Sequence, residues 1–393
     1  MRKNICIFSA QYLPHLGGVE RYTYNMAKKL YEKGNNVTIV TMNEIKKMKV
    51  DNEEGIRILR LPGIQLCDER MPIIRLGTEF VKWDKYLMQQ QFDLIIIQTR
   101  YYPLSLYASK YAKKKNISAI LIDHSTAHIE VGSRMIDPMI KVYEHIMCSL
   151  IKKSKCDFYG VSKACIEWLR HFGIEAKGVL YNSINIEDIE SVFVKEDLFK
   201  ELNIPEDAKI ILYAGRLVKE KGVKKLVDAM KGLEESYSQV YTVIAGDGEL
   251  YEELKKKKND KCILLGNVPH EKVIQLMKKA YIFCLPTDYP EGFPTSVLEA
   301  AACKLYVITT TAGGSKELIF NEDYGTILQT NQEYMCLKNA IENILLHPKK
   351  RKNAVENCYS EVMKRFSWDT VAEQIEKMCE VENDEEINHY TSL

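Results

Sequence analysis

A chain of 393 residues, 46% of them hydrophobic and 28% charged, has the composition of a soluble globular protein and exceeds one ordinary core, which predicts two domains. No run of about 18 apolar residues occurs, which argues against a membrane-spanning helix, and the short apolar stretch at the N-terminus predicts a first strand rather than a signal peptide. The 11 cysteines form no Cys-x-x-Cys pair and no Cys/His cluster at metal-binding spacing. This favours reduced thiols in a cytoplasm and argues against a zinc site.

The net charge of +1 conceals an uneven distribution along the chain. Residues 1–180 contain 28 Lys and Arg against 18 Asp and Glu, a net charge of +10, whereas residues 181–393 contain 27 against 36, a net charge of −9. A basic first half indicates an anionic partner, such as a membrane face or a pyrophosphate-linked lipid. No nucleic-acid-binding motif accompanies the charge, so nucleic acid is not an expected partner.

Strand-like and helix-like segments alternate along the first half, a pattern typical of a parallel, doubly wound sheet. The first predicted strand, residues 4–9, leads through Gly17-Gly18 into a helix predicted over residues 19–33. Backbone of this form can approach a phosphate, although a plain turn explains two glycines equally well. The pattern is not Gly-x-Gly-x-x-Gly, which disfavours a nicotinamide dinucleotide. The other strands predicted in this half are residues 36–41, 56–61, 93–98, 117–122, 157–161 and 179–181.

One histidine of the first half follows directly after a predicted strand. Residues 117–122 end at Asp123-His124-Ser125, and a side chain just past a strand end lies on the rim where α/β sheets bind ligands. His124 is therefore a candidate site residue, with an ordinary loop histidine as the alternative.

Two stretches mix apolar and basic side chains in a way typical of interfacial amphipathic helices. They are residues 71–88 and residues 101–115. The alternative for each is an ordinary helix that packs its apolar stripe on the sheet and exposes its lysines. The basic charge of this half favours membrane contact for at least one of them.

The alternating pattern breaks near Asn182, and a polar, acidic stretch extends to about Asp207, where we predict the domain boundary. A second series of strands and helices follows, which indicates a second Rossmann-like unit. Its predicted strands are residues 209–214, 240–245, 262–265, 281–285 and 305–308.

Two loops of the second half carry charges suited to a phosphorylated ligand. Arg216 and Lys221 flank the loop after the strand 209–214, and both side chains suit phosphate oxygens, although single surface cations are most often merely solvated. Glu291 lies in the loop after the strand 281–285, Pro294 suits the first turn of the next helix, and Glu299 lies inside it. Carboxylates accept hydrogen bonds from sugar hydroxyls and helix N-termini attract phosphate. The pattern predicts a site for a polyhydroxylated anion, with simple helix capping as the alternative.

Taken together, a series of motifs resembles the family-4 retaining glycosyltransferases of the GT-B fold, also described as glycosyl transferases group 1. The matching segments run in the family's order along almost the whole chain. They are Gly17-Gly18-Val19-Glu20, Gly160-Val161-Ser162, Gly215-Arg216-Leu217, Lys221-Gly222, Gly246-Asp247-Gly248, Glu291-Gly292-Phe293-Pro294, Glu299-Ala300, Gly313-Gly314 with Glu317, and Phe366-Ser367-Trp368.

The resemblance implies an α/β protein of the GT-B fold, with two Rossmann-like domains that face each other across a cleft. Residues 1–182 would form the acceptor-binding domain, and residues 183–368 would bind the nucleotide sugar. A C-terminal helix over about 369–393 would cross back to the first domain.

The family's pattern also implies a role for each matching position. Arg216 and Lys221 would hold the pyrophosphate, and Glu299 would bind the ribose hydroxyls. Glu291 would bond to the transferred sugar near its anomeric carbon, and His124 would lie near the far hydroxyl of that sugar. The implied catalytic residues are Arg216, Lys221, Glu291 and His124. The implied donor-binding residues, with the Gly18 amide at the distal phosphate and Val268 beside the base, are Gly17, Gly18, Arg216, Lys221, Val268, Glu291, Gly292, Phe293, Pro294, Thr295 and Glu299.

The implied activity is transfer of a hexose or N-acetylhexosamine, with retention, from a nucleotide-diphosphate sugar to a lipid-linked or glycan acceptor in cell-surface polysaccharide synthesis. A UDP-sugar is favoured as donor, with GDP-mannose as a second option. No Asp-x-Asp occurs in the sequence, so we expect no metal and no cofactor. The expected location is the cytoplasm, with peripheral contact at the inner face of the cell membrane. The alternatives are a nucleotide-sugar 2-epimerase of the same fold and a non-catalytic sugar-nucleotide-binding protein.

Overall fold

The computed structural model describes residues 2–15, 17–43, 48–66, 71–130, 132–194 and 198–390. The chain divides into two compact units, which we call unit 1 (Met1–Asn182 with Trp368–Leu393) and unit 2 (Ser183–Ser367). The last positions of the predicted C-terminal helix, residues 391–393, lie outside the described residues. None of the described helices is both long enough and apolar enough to cross a bilayer.

Unit 1 alternates strands with helices. Its strands are β1 (Asn4–Phe8), β2 (Asn36–Asn43), β3 (Lys49–Glu53), β4 (Ile56–Leu66), β5 (Met71–Ile74), β6 (Leu94–Gln98), β7 (Ala119–Asp123), β8 (Asp157–Gly160) and β9 (Gly178–Val179). Its first five helices are α1 (Gly18–Glu32), α2 (Thr78–Met88), α3 (Pro103–Lys115), α4 (Ile136–Lys152) and α5 (Lys163–Arg170).

The described strands of unit 1 form one sheet in the order β3-β4-β2-β1-β6-β7-β8-β9, with β5 paired to β4. All neighbours are parallel except β3–β4 and β4–β5, so the predicted parallel, doubly wound sheet is confirmed. The edge strands β3 and β5 are not predicted by the sequence. The strand β3 is mostly polar, and β5 is a four-residue segment that contains Pro72 and lies inside the stretch interpreted as one helix.

Both faces of the unit 1 sheet are covered by helices, and β1 shows the two-residue alternation that this requires. Cys6 and Phe8 pack in the core formed with α2, α3 and α4. Ile5 and Ile7 point to the opposite face and pack in the core formed with α1 and α5. The central strand β6 is apolar and buried throughout, as expected for a strand covered on both sides.

The two stretches predicted as interfacial helices place most of their apolar side chains in the first of these cores. In α3, Leu104 and Tyr111 are buried, and in α2, Trp83 and Leu87 are fully buried. Residues 71–88 are a strand, β5, followed by α2, and not one amphipathic helix. The buried stripes of α2 and α3 therefore match the alternative of ordinary helices packed on the sheet, which takes up most of their apolar surface.

Unit 2 repeats the alternation. Its strands are β10 (Lys209–Ala214), β11 (Val240–Ala245), β12 (Cys262–Gly266), β13 (Ile282–Leu285), β14 (Tyr306–Thr310) and β15 (Thr326–Leu328). Its helices are α6 (Ile186–Ser191), α7 (Leu198–Glu201), α8 (Val223–Ser236), α9 (Tyr251–Lys257), α10 (His270–Lys279), α11 (Thr295–Ala302), α12 (Tyr334–Leu346) and α13 (Pro348–Arg365). The described strands form an all-parallel sheet in the order β12-β11-β10-β13-β14-β15.

The last helix, α14 (Trp368–Tyr390), belongs to unit 1. Its buried residues Val371, Ala372 and Ile375 join the core on the α1 face. The sequence predicts a boundary after Trp368, but the Trp368 ring packs edge-on against Tyr22 with a centroid separation of 4.9 Å. Trp368 is thus part of unit 1, and the boundary falls one residue earlier.

Candidate active site

The residues singled out in unit 2 lie where the strand order of its sheet reverses. From β10 the chain moves outward through β11 to β12, and then returns to place β13 on the other side of β10. Loops that leave two adjacent strands in opposite directions open a crevice at the carboxyl ends of those strands, which is where open α/β sheets bind ligands. We call the loop after β10, residues 215–222, the cation loop, and the loop after β13, residues 286–294, the acid loop.

The cation loop is anchored by its one fully buried side chain, Leu217. The backbone of Leu217 donates to Asp247 O at 2.8 Å and accepts from Leu250 N at 3.0 Å, which ties the loop to the segment after β11. The neighbouring Arg216 is exposed, and Tyr213 Oη donates to the carbonyl of Arg216 at 2.9 Å. The backbone under Arg216 is therefore fixed while its guanidinium faces solvent.

Gly222 lets the cation loop touch the acid loop. It has a φ of 74°, and a Cβ there would lie 1.9 Å from Pro286 O, so only glycine fits. Asp288 N donates to Glu220 O at 2.7 Å, and Lys225 donates to the Asp288 carboxylate. These contacts hold the two loops side by side.

The candidate charges meet around one aromatic ring. The Lys221 ammonium forms an ion pair with Glu291 Oε1, and both side chains are nearly buried, at 14% and 13% exposure. The Tyr289 ring lies 5.2 Å from Lys221 Nζ and 5.6 Å from Arg216 Cζ. The structure therefore brings Arg216, Lys221 and Glu291 together, and no carboxylate in the described part of the chain lies within ion-pair distance of Arg216.

Glu291 is held from behind by the turn after β14. Gly313 has a φ of 62°, and a Cβ there would lie 2.3 Å from Glu291 O. Gly314 N donates to Gly292 O at 3.0 Å. Because a side chain at position 313 would displace the acid loop, this turn sets the position of the Glu291 carboxylate.

Glu299 lies about one turn inside α11 and is paired with a residue that the sequence did not single out. His270 Nε2 lies 2.8 Å from Glu299 Oε1. His270 is the first residue of α10, and Val268 precedes it in the segment after β12. Val268 and the Glu299–His270 pair thus lie beyond the carboxyl end of β12, on the same edge of the sheet as the cation loop.

The acid loop runs directly into the N-terminus of α11. Pro294 is the N-cap residue and Thr295 the first helical residue, so Pro294 lies one residue before the first turn that the sequence predicts for it. Phe293 is 5% exposed and packs edge-on against Phe366 at 5.2 Å, so its ring serves packing. This helix start presents backbone N–H groups and the positive end of the helix dipole beside Glu291 and Gly292.

In unit 1, the glycine pair lies where the strand order reverses between β1 and β6. Gly17 is the N-cap residue of α1 and Gly18 its first residue. A Cβ at Gly18 would meet no described atom within 4 Å. Gly18 therefore has open space beside it, whereas a Cβ at Gly17 would lie 2.3 Å from the Glu20 carboxylate.

His124 follows β7 and is packed within unit 1. Its Nε2 lies 2.7 Å from Gln98 Oε1, and its ring stands edge-on to Tyr22 at 4.8 Å. Burial lowers the pKa of His124 to about 3. The imidazole is thus neutral near pH 7. It can donate or accept a hydrogen bond, but it is not an imidazolium that could act as a general acid.

Two site neighbours were missed from the sequence, Tyr289 and His270. Tyr289 lies between Asp288 and Pro290 in a loop already identified as functional, so its position was a usable signal. His270 offered none, because its pairing with Glu299 depends on the packing of α10 beside α11.

Comparisons with known proteins indicate the family. The model of the glycosyl transferases group 1 matches residues 194–361, and the model of Glycosyltransferase Family 4 matches residues 16–188. An uncharacterized glycosyltransferase of Methanocaldococcus jannaschii is 24% identical over 97% of this chain and 99% of its own. One subunit of the human phosphatidylinositol N-acetylglucosaminyltransferase is 25% identical over 95% of this chain and 75% of its own.

Solved structures show the fold. The Anabaena protein HepE, in complex with UDP-glucose, aligns over 97% of this chain and 100% of its own with a TM-score of 0.73 and 18% identity. The chain belongs to the group 1 glycosyltransferases, and its two α/β units have the GT-B fold.

The neutral, partly buried state of His124 predicts a pH-dependent stability of unit 1. An unfolded histidine takes up a proton near pH 6.5, whereas folded His124 does so only near pH 3. Between these values the unfolded state binds more protons, so stability falls as the pH decreases through 6.5. Between pH 7 and pH 5 we expect His124 to account for a loss of about 2 kcal/mol, and His124→Gln to remove that loss.

Urea unfolding followed by tryptophan fluorescence measures this, since all three tryptophans belong to unit 1. The control is His347→Gln, which alters an exposed histidine of unit 2. Equal pH dependence in the wild type and His124→Gln would contradict the neutral assignment.

Proposed function

We propose that this protein is a retaining, metal-independent transferase that moves a hexose or N-acetylhexosamine from a nucleoside-diphosphate sugar to a lipid-linked or glycan acceptor. The observation that carries the proposal is the meeting of Arg216, Lys221 and Glu291 around Tyr289, at the strand-order reversal of unit 2. Two cations suit a diphosphate, and a carboxylate beside them suits sugar hydroxyls.

The charges indicate how the reaction proceeds. Cleavage of the bond between the anomeric carbon and the diphosphate leaves positive charge on the sugar and negative charge on the leaving group. Arg216, Lys221 and the N-terminus of α11 meet the negative charge with fixed positive groups. Glu291 bonds the sugar and lies nearest to the developing cation. In a same-face attack, the acceptor oxygen bonds to the anomeric carbon, and its proton passes to an oxygen of the leaving diphosphate, which gives retention.

The unpaired state of Arg216 among the described residues supports its assignment to the diphosphate. Lys221 already has a carboxylate partner, so it shares its charge with Glu291, whereas the guanidinium of Arg216 has its full charge available. Glu299 and His270 form a second polar pair on the same edge and suit the ribose hydroxyls, with Val268 beside the base. In unit 1, the Gly18 amide suits the distal phosphate, and His124 suits a sugar hydroxyl.

A UDP-sugar is the favoured donor, and GDP-mannose is the second option. The choice of uridine is supported by HepE, whose structure contains UDP-glucose, and an N-acetylglucosamine donor is supported by the name of the human relative. We place the reaction in the cytoplasm, in the synthesis of cell-surface polysaccharide.

Replacement of Arg216 tests the diphosphate assignment. We expect Arg216→Ala to lower kcat/KM by about 10²–10³, because it removes a preorganised positive group from the leaving diphosphate. Lys219→Ala, which removes an exposed cation from the same loop, is the matched control and should keep wild-type activity. Transfer of labelled sugar from UDP- and GDP-sugars to a membrane extract, with and without EDTA, is the measurement.

Three outcomes of this assay would count against the proposal. A strict requirement for added Mg²⁺ or Mn²⁺ would contradict metal-independent catalysis. A product formed from the donor alone would favour the 2-epimerase. Equal activity of Arg216→Ala and Lys219→Ala would remove Arg216 from the site.

Contact with an anionic membrane is the remaining part of the proposal. The helix that supports it is α4, and not α2 or α3. Exposed apolar side chains recur at helical spacing along α4 and at the residue before it. This α4 stripe consists of Met135, Ile136, Met139, Val142 and Ile146. It lies in the half of the chain that carries a net charge of +10, which suits an anionic lipid surface.

Vesicle co-sedimentation tests this contact. We expect the wild type to bind vesicles that contain anionic lipid and to bind neutral vesicles weakly. The double variant Met139→Glu/Val142→Glu should bind vesicles at least about tenfold more weakly. Burial of each native side chain in the lipid would contribute more than about 1 kcal/mol to the free energy of binding. Phe193→Glu, which changes an exposed aromatic outside the stripe, is the control. Equal binding of all three proteins would exclude the α4 stripe.

A further inference from the structure

Three histidines from separate elements of unit 1 converge in one cluster. His128 lies in the segment after β7, His145 lies on α4, and His171 is the C-cap residue of α5. One ring nitrogen of each lies within 4.8 Å of the others. His128 is partly buried, whereas His145 and His171 are exposed, so the cluster is open to solution.

One imidazole of the cluster is already oriented by a buried carboxylate. His128 Nδ1 lies 2.7 Å from Glu144 Oε2, and Ile129 N donates to Glu144 Oε1 at 2.8 Å. Glu144 is fully buried, so this bond fixes the His128 ring. With its Nδ1–H donated to the carboxylate, His128 directs the lone pair of Nε2 outward. A histidine that binds a metal is commonly held in this way by a carboxylate.

The other two rings are held by aromatic neighbours. The Trp168 ring stacks on His171 with a centroid separation of 4.8 Å and an interplanar angle of 12°. The Phe172 ring lies 4.7 Å from His145. These contacts restrict part of the side-chain freedom of both imidazoles, so less of it is lost when the three rings bind a common atom.

The charge behind the cluster favours a cation. Arg100 pairs with both Asp123 and Glu144, at 2.7 and 3.1 Å, and all three side chains are fully buried. Two carboxylates against one guanidinium leave a formal charge of −1. This charge is presented to His128 through Glu144, and it would offset part of the charge of a divalent ion.

We propose that His128, His145 and His171 bind a divalent transition metal, with zinc as the best match, and that Glu144 positions His128 for it. Imidazole suits zinc, copper and nickel, and three protein ligands plus water complete a tetrahedral zinc. Nitrogens at about 2.0–2.1 Å from one zinc lie roughly 3.4 Å apart, so modest side-chain rotations close the present cluster. The sequence predicts no metal site, because these histidines are far apart in the chain and share no short motif.

Metal bound here has a structural consequence for the candidate active site. The segment after β7 carries both His124 and His128, and a metal would join this segment to α4 and α5. Zinc should therefore slow amide hydrogen exchange over residues 124–130.

Isothermal titration of tag-free, EDTA-dialysed protein with zinc chloride tests the proposal. We expect one zinc per chain with a dissociation constant of about 1 µM or lower. In His145→Gln/His171→Gln, which changes two exposed residues and leaves Glu144 in place, binding should weaken at least about 100-fold. His347→Gln is the control for an exposed histidine elsewhere and should bind zinc as the wild type does.

Hydrogen exchange with and without zinc gives a second readout, and tryptophan fluorescence checks that the variants are folded. Absence of a one-to-one site in the wild type would overturn the proposal. Equal zinc binding by the double variant and His347→Gln would also overturn it, since any zinc would then be bound elsewhere. Protection of residues 124–130 by zinc in the wild type, lost in the double variant, would support it.

Discussion

The ion pair between Lys221 and Glu291 is the contact on which the candidate site depends. The two residues come from loops far apart in the chain, and they meet because β10 and β13 are adjacent strands whose connections leave in opposite directions. Two glycines make the approach possible: Gly222 lets the cation loop reach Pro286, and Gly313 lets the turn after β14 support Glu291. Both side chains are nearly buried, so neither charge is fully solvated, and loss of either partner would leave the other poorly compensated.

The same pair explains how one surface can serve a donor with two unlike parts. A diphosphate needs positive charge, and a sugar needs hydrogen-bond acceptors close to its hydroxyls. In the proposed function the cations take the first part and Glu291 takes the second, with Tyr289 as the ring that both cations contact. Charge-assisted hydrogen bonds contribute about 1.5–3 kcal/mol each, so Lys221 can exchange part of its bond to Glu291 for a bond to phosphate without a large net cost. The zinc site that we infer in unit 1 is separate from this chemistry and would act on the segment that carries His124.

The two parallel sheets and the group of charged residues in unit 2 could be predicted from the sequence, because both leave local signals in it. Buried parallel strands such as β6 read as apolar runs, and Arg216, Lys221 and Glu291 follow strand ends in a recognisable order. The strands β3 and β5 could not be predicted, because their pairing with β4 depends on tertiary contacts. The sequence could not predict the Glu299–His270 pair or the His128, His145 and His171 cluster, since each joins residues from different elements. For the segments of α2 and α3, an interfacial helix and a helix packed on the sheet both stayed open, because composition does not reveal that the sheet covers their apolar stripes.

The central claim is that the cations bind the diphosphate and Glu291 binds the sugar. UDP carries the diphosphate without the sugar, so its binding tests the first role apart from the second. Isothermal titration of UDP into the wild type, Lys221→Met and Glu291→Gln measures it directly. The account predicts that Lys221→Met weakens UDP binding at least about tenfold, whereas Glu291→Gln binds UDP within about threefold of the wild type or more tightly, because the loss of its negative charge frees Lys221 for phosphate. Equal weakening by both substitutions, or no weakening by Lys221→Met, would contradict it.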